Sequence, residues 1–144
     1  GFEVIDFFEE EFACAVRRGH PVVKRKLSVE QYADIGHLLI SIGEDRGPTL
    51  VDNRLHAQGL SRRVVARTRS FLAAPLILAE TDLVLTGPRH LLEFLAKGHD
   101  LKVLPVPIEL PRYREGALWH ERFAHDPAHR WVREQLELIG QGLR

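Results

Sequence analysis

The chain is poor in cysteine, has no methionine and contains no long apolar run. Cys14 is the only cysteine among 144 residues, which excludes an internal disulfide. Its apolar surroundings indicate a small core residue rather than a nucleophile. No apolar run approaches the roughly 18 residues of a membrane-spanning helix, and no signal-peptide pattern is seen. These absences favour a cytoplasmic protein, and a methionine-free chain that begins with glycine indicates a fragment or a processed product.

The chain also lacks an excess of charge of either sign. Its 20 lysines and arginines balance 20 aspartates and glutamates. Nucleic-acid-binding domains usually carry a basic excess or stripe, so DNA binding by this chain itself is not expected. The basic residues form only local groups, as at Arg17–Arg18 and Arg62–Arg63. We interpret these groups as solvated surface, with contact to a partner as the alternative.

Motifs of catalysis and metal binding are absent as well. There is no GxSxG, no GxGxxG and no P-loop, so the sequence does not predict an enzyme or a cofactor. His120, His125 and His129 invite a metal interpretation. However, Asp126 and Pro127 place a helix start between the last two histidines, no cysteine lies nearby, and no HExxH pattern occurs. The sequence therefore predicts no metal site.

Turn and capping signals divide the chain into alternating strands and helices. Ser28 and Gln31 form a capping-box pattern at the start of a helix, and Asp126 followed by Pro127 is typical of another helix start. The patterns predict strands over 11–16, 37–41, 64–68, 83–85, 102–104 and 114–120, and helices over 29–34, 50–58, 71–80, 88–97 and 127–139. This alternation favours an α/β fold with a largely parallel sheet.

Several of these elements carry more specific predictions. Ser70 is expected to cap a helix that is apolar almost all round and therefore buried. Because Pro75 lies inside it, that helix either begins near Ala74 or has a distorted first turn. Residues 104–108 are expected to form an extended connection. The final helix has an apolar stripe, in which Trp131 is interpreted as a packing anchor.

Six sequence blocks together carry a resemblance to a known family. They are residues 12–21 (FACAVRRGHP), 32–37 (YADIGH), 70–75 (SFLAAP), 80–84 (ETDLV), 118–122 (LWHER) and 126–131 (DPAHRW). In order and spacing the set resembles the regulatory domain of LysR-type transcription regulators, in the branch that includes nodulation and nitroaromatic-responsive members. The resemblance covers nearly the whole chain.

The resemblance implies a type 2 periplasmic-binding-protein-like fold with two lobes and a small effector molecule held between them. Residues 1–85 would form most of the second lobe, which is nearly complete, and residues 86–144 would return to a first lobe that is only partly present. The family's N-terminal winged helix-turn-helix has no counterpart in this chain, so DNA would be bound only through that missing domain. A homodimer, and a tetramer of the parent protein, are the implied assemblies.

The resemblance and the local chemistry together select candidate effector-binding residues. Ser70 lies where a strand ends and a helix begins, a position suited to a carboxylate ligand, and Phe71 would supply an aromatic wall. His37 would donate to a phenol or a carboxylate, and Thr81 lies at a crossing between lobes. Glu115 and Ala117 lie on the strand that returns to the first lobe; there a buried Glu115 would disfavour a carboxylate effector.

Each of these residues also has a structural interpretation. In this interpretation Ser70 is only a helix cap, Phe71 is a core aromatic, and His37 is a hydrogen-bonded buried histidine. Two other functions remain open at this point, a solute-binding protein of a transport system and a dimerisation module without a ligand. The first shares the fold class, so fold cannot exclude it.

Overall fold

A computed structural model describes residues 1–41, 43 and 47–143, which form two compact units. The larger unit is Glu11–Pro111, and the smaller one joins Gly1–Glu10 to the chain from Arg112 onward. Residues 86–111 thus belong to the same unit as residues 11–85. The assignment of residues 1–85 and 86–144 to the two lobes of the family fold stays a prediction.

The larger unit is built on a five-stranded sheet in the order β4-β3-β5-β2-β6. Its elements are β2 (Phe12–Arg17), α1 (Val29–Asp34), β3 (Gly36–Ile40), α2 (Leu50–His56), β4 (Arg63–Thr68), α3 (Ala74–Ala79), β5 (Val84–Pro88), α4 (Arg89–Ala96) and β6 (Leu101–Pro105). β3 pairs in parallel with β4 and β5, whereas β2 pairs antiparallel with β5 and β6. The sheet is therefore mixed, because β2 runs against the other four strands. β3, β4, β5 and β6 share one direction, so the expectation of a largely parallel sheet is confirmed for all strands but β2.

Both faces of this sheet are covered, and β2 shows the pattern most clearly. Cys14 and Val16 belong to the core on one face, while Ala13 and Ala15 belong to the core on the other. All four side chains are fully buried. The prediction that Cys14 is a small core residue is confirmed, and burial raises the pKa of its thiol to about 12.

Two helices of this unit begin at capping boxes. The Ser28 hydroxyl accepts from the Gln31 amide at 3.1 Å and the Gln31 side chain accepts from the Ser28 amide at 3.0 Å, which confirms the predicted start of α1. Thr49 and Asp52 form the same reciprocal pair at the start of α2. α2 ends at His56, earlier than predicted, and Gly59 follows in the left-handed conformation with φ +72°.

The predictions for α3 and α4 need correction. α3 begins at Ala74, as the alternative with Pro75 required, and Ala73 rather than Ser70 is its cap residue. The Ser70 hydroxyl instead accepts from the Ala73 amide at 3.2 Å and closes the turn before the helix. α3 was expected to be buried on all sides, but it buries the face with Ala74 and Leu78, and Leu76 on its other face is 61% exposed. α4 begins at Arg89, one residue after the predicted Pro88.

The smaller unit pairs β1 (Phe2–Glu10) antiparallel with β7 (Tyr113–His120), followed by a short 3-10 helix (Glu121–Phe123) and α5 (Pro127–Gln141). β1 was not predicted, because a register shift between Asp6 and Phe8 interrupts its alternation of apolar and polar residues. The Asp126 cap is confirmed, since its carboxylate accepts from the His129 amide at 2.9 Å.

The packing of α5 differs from the prediction. The helix approaches β1 through Gly140, where an added Cβ would lie 2.4 Å from the Cβ of Phe7. Its apolar stripe is largely exposed instead, and Trp131 is 62% exposed. The prediction that Trp131 is a packing anchor is therefore wrong in this chain. Among the described residues, no helix is long and apolar enough to cross a membrane.

Candidate functional site

A buried arginine organises the polar interior of the larger unit. Arg62 precedes β4, and its side chain is only 2% exposed. Its Nε donates to one carboxylate oxygen of Asp52 at 2.6 Å, and its Nη2 donates to the other at 3.3 Å and to the Thr49 hydroxyl at 2.9 Å. Burial alone would raise the pKa of Asp52, but hydrogen bonds from Arg62 and at Thr49 outweigh it and lower the pKa to about 2.

His37 completes what we call the Arg62 network, which comprises Arg62, Asp52, Thr49 and His37. The imidazole is fully buried, and its Nε2 lies 2.7 Å from the Tyr32 carbonyl oxygen. That contact requires a proton on Nε2, so Nδ1 is free to accept from Arg62 Nη1 at 3.3 Å. Burial lowers the pKa of His37 to about 4, and the charge of Arg62 acts in the same direction.

Acidification is expected to destabilise the protein through His37. The ordinary pKa is 6.5 and the folded value is about 4, so between these values the unfolded chain binds a proton that the folded chain does not. The free energy of unfolding therefore falls as the pH drops through that window, by about 3 kcal/mol. Urea unfolding at neutral pH and at about pH 4 measures the loss. His37→Gln should flatten this slope, whereas the exposed His129→Gln should keep it; equal slopes in all three proteins would contradict the assignment.

Ser70 and Phe71 lie at a different place on the sheet. They follow the carboxyl end of β4, where Thr68 pairs with Ile40 of β3. Ser70 is exposed and Phe71 is half-buried. The Thr68 hydroxyl accepts from the Ser70 amide at 3.2 Å, which orders the turn. His37 pairs with Val64 at the amino end of the same two strands, so the structure does not bring His37 and Ser70 together.

Thr81 lies at the His37 end of the sheet. Its hydroxyl donates to the Ile77 carbonyl at 2.7 Å, in the segment between α3 and β5. Val84, which begins β5, pairs with His37. The neighbouring Asp82 carboxylate forms an ion pair with Arg17 at 2.6 Å.

Glu115 and Ala117 lie in the smaller unit, on β7, and both are half-buried. Glu115 pairs with Phe8 and Ala117 with Ile5 in the register of β1 and β7. Tyr113 is hydrogen-bonded to Glu115, and burial together with this negative charge raises the pKa of Tyr113 to about 12. Contact of an effector with Thr81, Glu115 or Ala117 stays a prediction.

Two of the three histidines near the carboxyl terminus have other contacts. The His120 ring accepts from the Arg122 amide at 3.2 Å, and the His129 ring stacks on Phe123 with 4.4 Å between ring centroids. Within residues 1–41, 43 and 47–143, no group of three or more histidine, cysteine, aspartate or glutamate side chains is placed to hold a metal ion.

Sequence reasoning missed the Arg62 network. Arg62 was noticed only as half of a basic pair with Arg63, and a surface position was expected. The available signal was the Thr49-x-x-Asp52 spacing, which is a capping pattern with an aspartate in place of the more usual glutamate or glutamine. A carboxylate fixed at a helix start offers a partner for a buried cation, and Arg62 fills that role.

Comparison with known proteins decides the family. The family described as the LysR substrate binding domain matches residues 1–138. The chain belongs to this LysR family. It is 32% identical over 129 residues to the HTH-type transcriptional regulator SyrM of Rhizobium meliloti (strain 1021). The aligned residues cover 90% of this chain and 40% of SyrM. The chain thus spans about two fifths of the length of this LysR relative.

Solved structures agree with this membership and with the two-lobed type 2 periplasmic-binding-protein-like fold of LysR regulatory domains. A transcriptional regulator of Pseudomonas aeruginosa superposes with a TM-score of 0.80 at 28% identity, covering 95% of this chain and 44% of that one. The effector binding domain of QuiR in complex with shikimate has a TM-score of 0.71, covering 98% of this chain and 66% of that one. At 14% identity QuiR shows the shared fold alone. The relatives are regulators, so the predicted resemblance to LysR proteins is confirmed and the transport interpretation finds no support.

Proposed function

We propose that this chain is the effector-sensing part of a bacterial LysR-type transcription regulator and that it binds a small aromatic or organic-acid molecule. The observation that carries the proposal is the family match over residues 1–138. QuiR, which has the same fold, holds shikimate, a small hydroxylated acid. DNA would be bound by a winged helix-turn-helix domain that is not part of this chain.

The effector-binding edge in this proposal is the carboxyl end of β3 and β4. Ligands of open α/β sheets bind outside the carboxyl ends of the strands, and Ser70 and Phe71 follow β4 at that end. Ser70 offers an exposed hydroxyl, and Phe71 offers a half-buried ring. Together they provide one polar and one apolar contact, which suits a small aromatic or organic acid.

His37 has a different part in the proposal. Both of its ring nitrogens already have partners, Tyr32 and Arg62, and the ring is fully buried. A direct contact with the effector would cost one of these hydrogen bonds. We therefore assign His37 to the positioning of Arg62 rather than to the ligand.

Regulation requires that the effector bind two conformations with different affinity. In the proposal, effector binding favours one conformation and so changes the geometry of a dimer, or of a tetramer of the parent protein. The changed geometry alters how the assembly holds DNA.

Ser70→Ala is expected to weaken binding of the effector about tenfold, because a hydrogen bond to a charged group is lost. Calorimetric titration with a panel of small acids that includes benzoate and shikimate measures the affinity. Gln58→Ala is the control, since Gln58 is also an exposed polar residue but precedes β4 instead of following it. Equal affinities for Ser70→Ala and the unmodified protein would remove Ser70 from the site.

A dimerisation module without a ligand is the second candidate. It is favoured by the exposed apolar stripe of α5, in which Trp131 and Ile139 are each 62% exposed. Sedimentation measures the oligomeric state. A dimer that binds no acid of the panel would favour this function over effector sensing.

A further inference from the structure

A cavity of about 350 Å³ lies beside α2 in the larger unit. Asp52, Asn53 and His56 line it from the helix, and Ser61 and Arg62 line it from the segment that leads into β4. Its volume falls in the range of small-molecule sites, which begins at about 300 Å³. None of the predicted effector-binding residues lines this cavity, so it is separate from the Ser70 edge.

The charges in the cavity wall compensate each other. The Arg62 guanidinium and the Asp52 carboxylate are held together by two hydrogen bonds. Hydrogen bonding from Arg62 and at Thr49 keeps the pKa of Asp52 at about 2 against the effect of burial, so the carboxylate is ionised at neutral pH. An anionic ligand would meet this carboxylate, and a cationic ligand would meet Arg62. The wall therefore favours an uncharged ligand.

The remaining lining adds both apolar and polar contacts. Pro48 and Leu60 offer apolar surface to a ring. The side chains of Asn53 and Ser61 each provide a donor and an acceptor, and both of these lining residues are exposed. A ligand with one ring and one group that both donates and accepts hydrogen bonds would satisfy these contacts together.

We propose that this cavity is a second small-molecule site, which takes an uncharged ring compound bearing an amide or a hydroxyl group. It lies at the amino end of β4, whereas Ser70 follows the carboxyl end, so it extends the proposed function by a second and independent ligand. Two members of the Arg62 network, Arg62 and Asp52, line the cavity, and the contact of Arg62 with His37 connects it to β3.

Benzamide and benzoate test the proposal, because they have nearly the same shape and differ in charge. Titration of the whole chain is followed by the backbone amide resonances in NMR spectra. Benzamide should shift the resonances of Asn53, His56 and Ser61 saturably. Benzoate should bind at these residues at least about tenfold more weakly, because it meets the Asp52 carboxylate. The absence of saturable shifts with benzamide, or equal affinity for benzoate, would overturn the proposal.

Filling the cavity provides the matched control. Asn53→Phe should abolish the benzamide response, and Ser61→Phe should do so from the other side of the cavity. Gln58→Phe replaces an exposed amide side chain that does not line the cavity, and it should leave the response unchanged. A response that persists in both filled variants would overturn the site. Ser70→Ala should not alter the benzamide response. The absence of that response would therefore overturn the second site without contradicting effector binding at Ser70.

Discussion

Replacement of Arg62 by leucine is expected to lower the free energy of unfolding by about 3 kcal/mol or more. The variant removes the partner of Asp52 and the donors to Thr49 and His37. The half-buried Asp52 carboxylate then keeps only its capping bond from the Thr49 amide. The fully buried His37 Nδ1 loses the donor that offsets its loss of water. Urea unfolding followed by circular dichroism measures the change.

Arg63→Leu is the control for this experiment. Arg63 is the next residue along the chain and is exposed on β4. Its replacement should change the free energy of unfolding by no more than about 0.5 kcal/mol, as is usual for surface positions. If both variants were equally stable, the Arg62 network would not be a stabilising feature of the interior.

Gly116→Ala is expected to disrupt the smaller unit. A Cβ at this position would lie 2.2 Å from the carbonyl oxygen of Ile5, a backbone atom that cannot move away without breaking the pairing of β1 with β7. We expect a loss of about 3 kcal/mol, at the upper end of the cost of overpacking. Trp119 reports on this strand, because Arg133 lies over its ring at 4.6 Å. The intrinsic fluorescence, which Trp119 and Trp131 of the same unit both supply, should change in the variant and during urea unfolding.

Gly98→Ala provides the comparison for the glycine variant. A Cβ added at Gly98 has no atom within 4 Å, and its φ is not in the left-handed region. The protein should therefore tolerate this change with unaltered tryptophan fluorescence. Equal stability of Gly116→Ala and Gly98→Ala would mean that β1 and β7 are not paired in the register described.

Local signals were read correctly from the sequence where a few neighbouring residues determine the outcome. The Ser28 capping box and the Asp126 cap each require only residues within one helical turn. The strand β1 was not predicted, because its register shift at Asp6 breaks the alternation of apolar and polar residues on which strand prediction depends. The antiparallel direction of β2 was not predicted either, since the order of strands and helices along the chain does not determine the direction of the first strand in the sheet.

The candidate site shows the same limit. Ser70 and His37 were selected together, but the parallel register of β3 with β4 places them at opposite ends of the strands. Register depends on pairing between distant residues, which no local pattern encodes. Arg62 was taken for surface because its partner Asp52 lies ten residues earlier, across a helix and a turn. The family resemblance supplied the domain class but not these contacts.

The most direct measurement for the central proposal is an NMR titration of this chain with the panel of small aromatic and organic acids. We predict that at least one acid shifts the amide resonances of Ser70 and Phe71 saturably, and that Ser70→Ala weakens this response about tenfold. Resonances of His37 should move less, because its ring is held by Tyr32 and Arg62. If no acid of the panel shifts Ser70 and Phe71, or if the shifts persist unchanged in Ser70→Ala, the proposal of effector binding at this edge is contradicted.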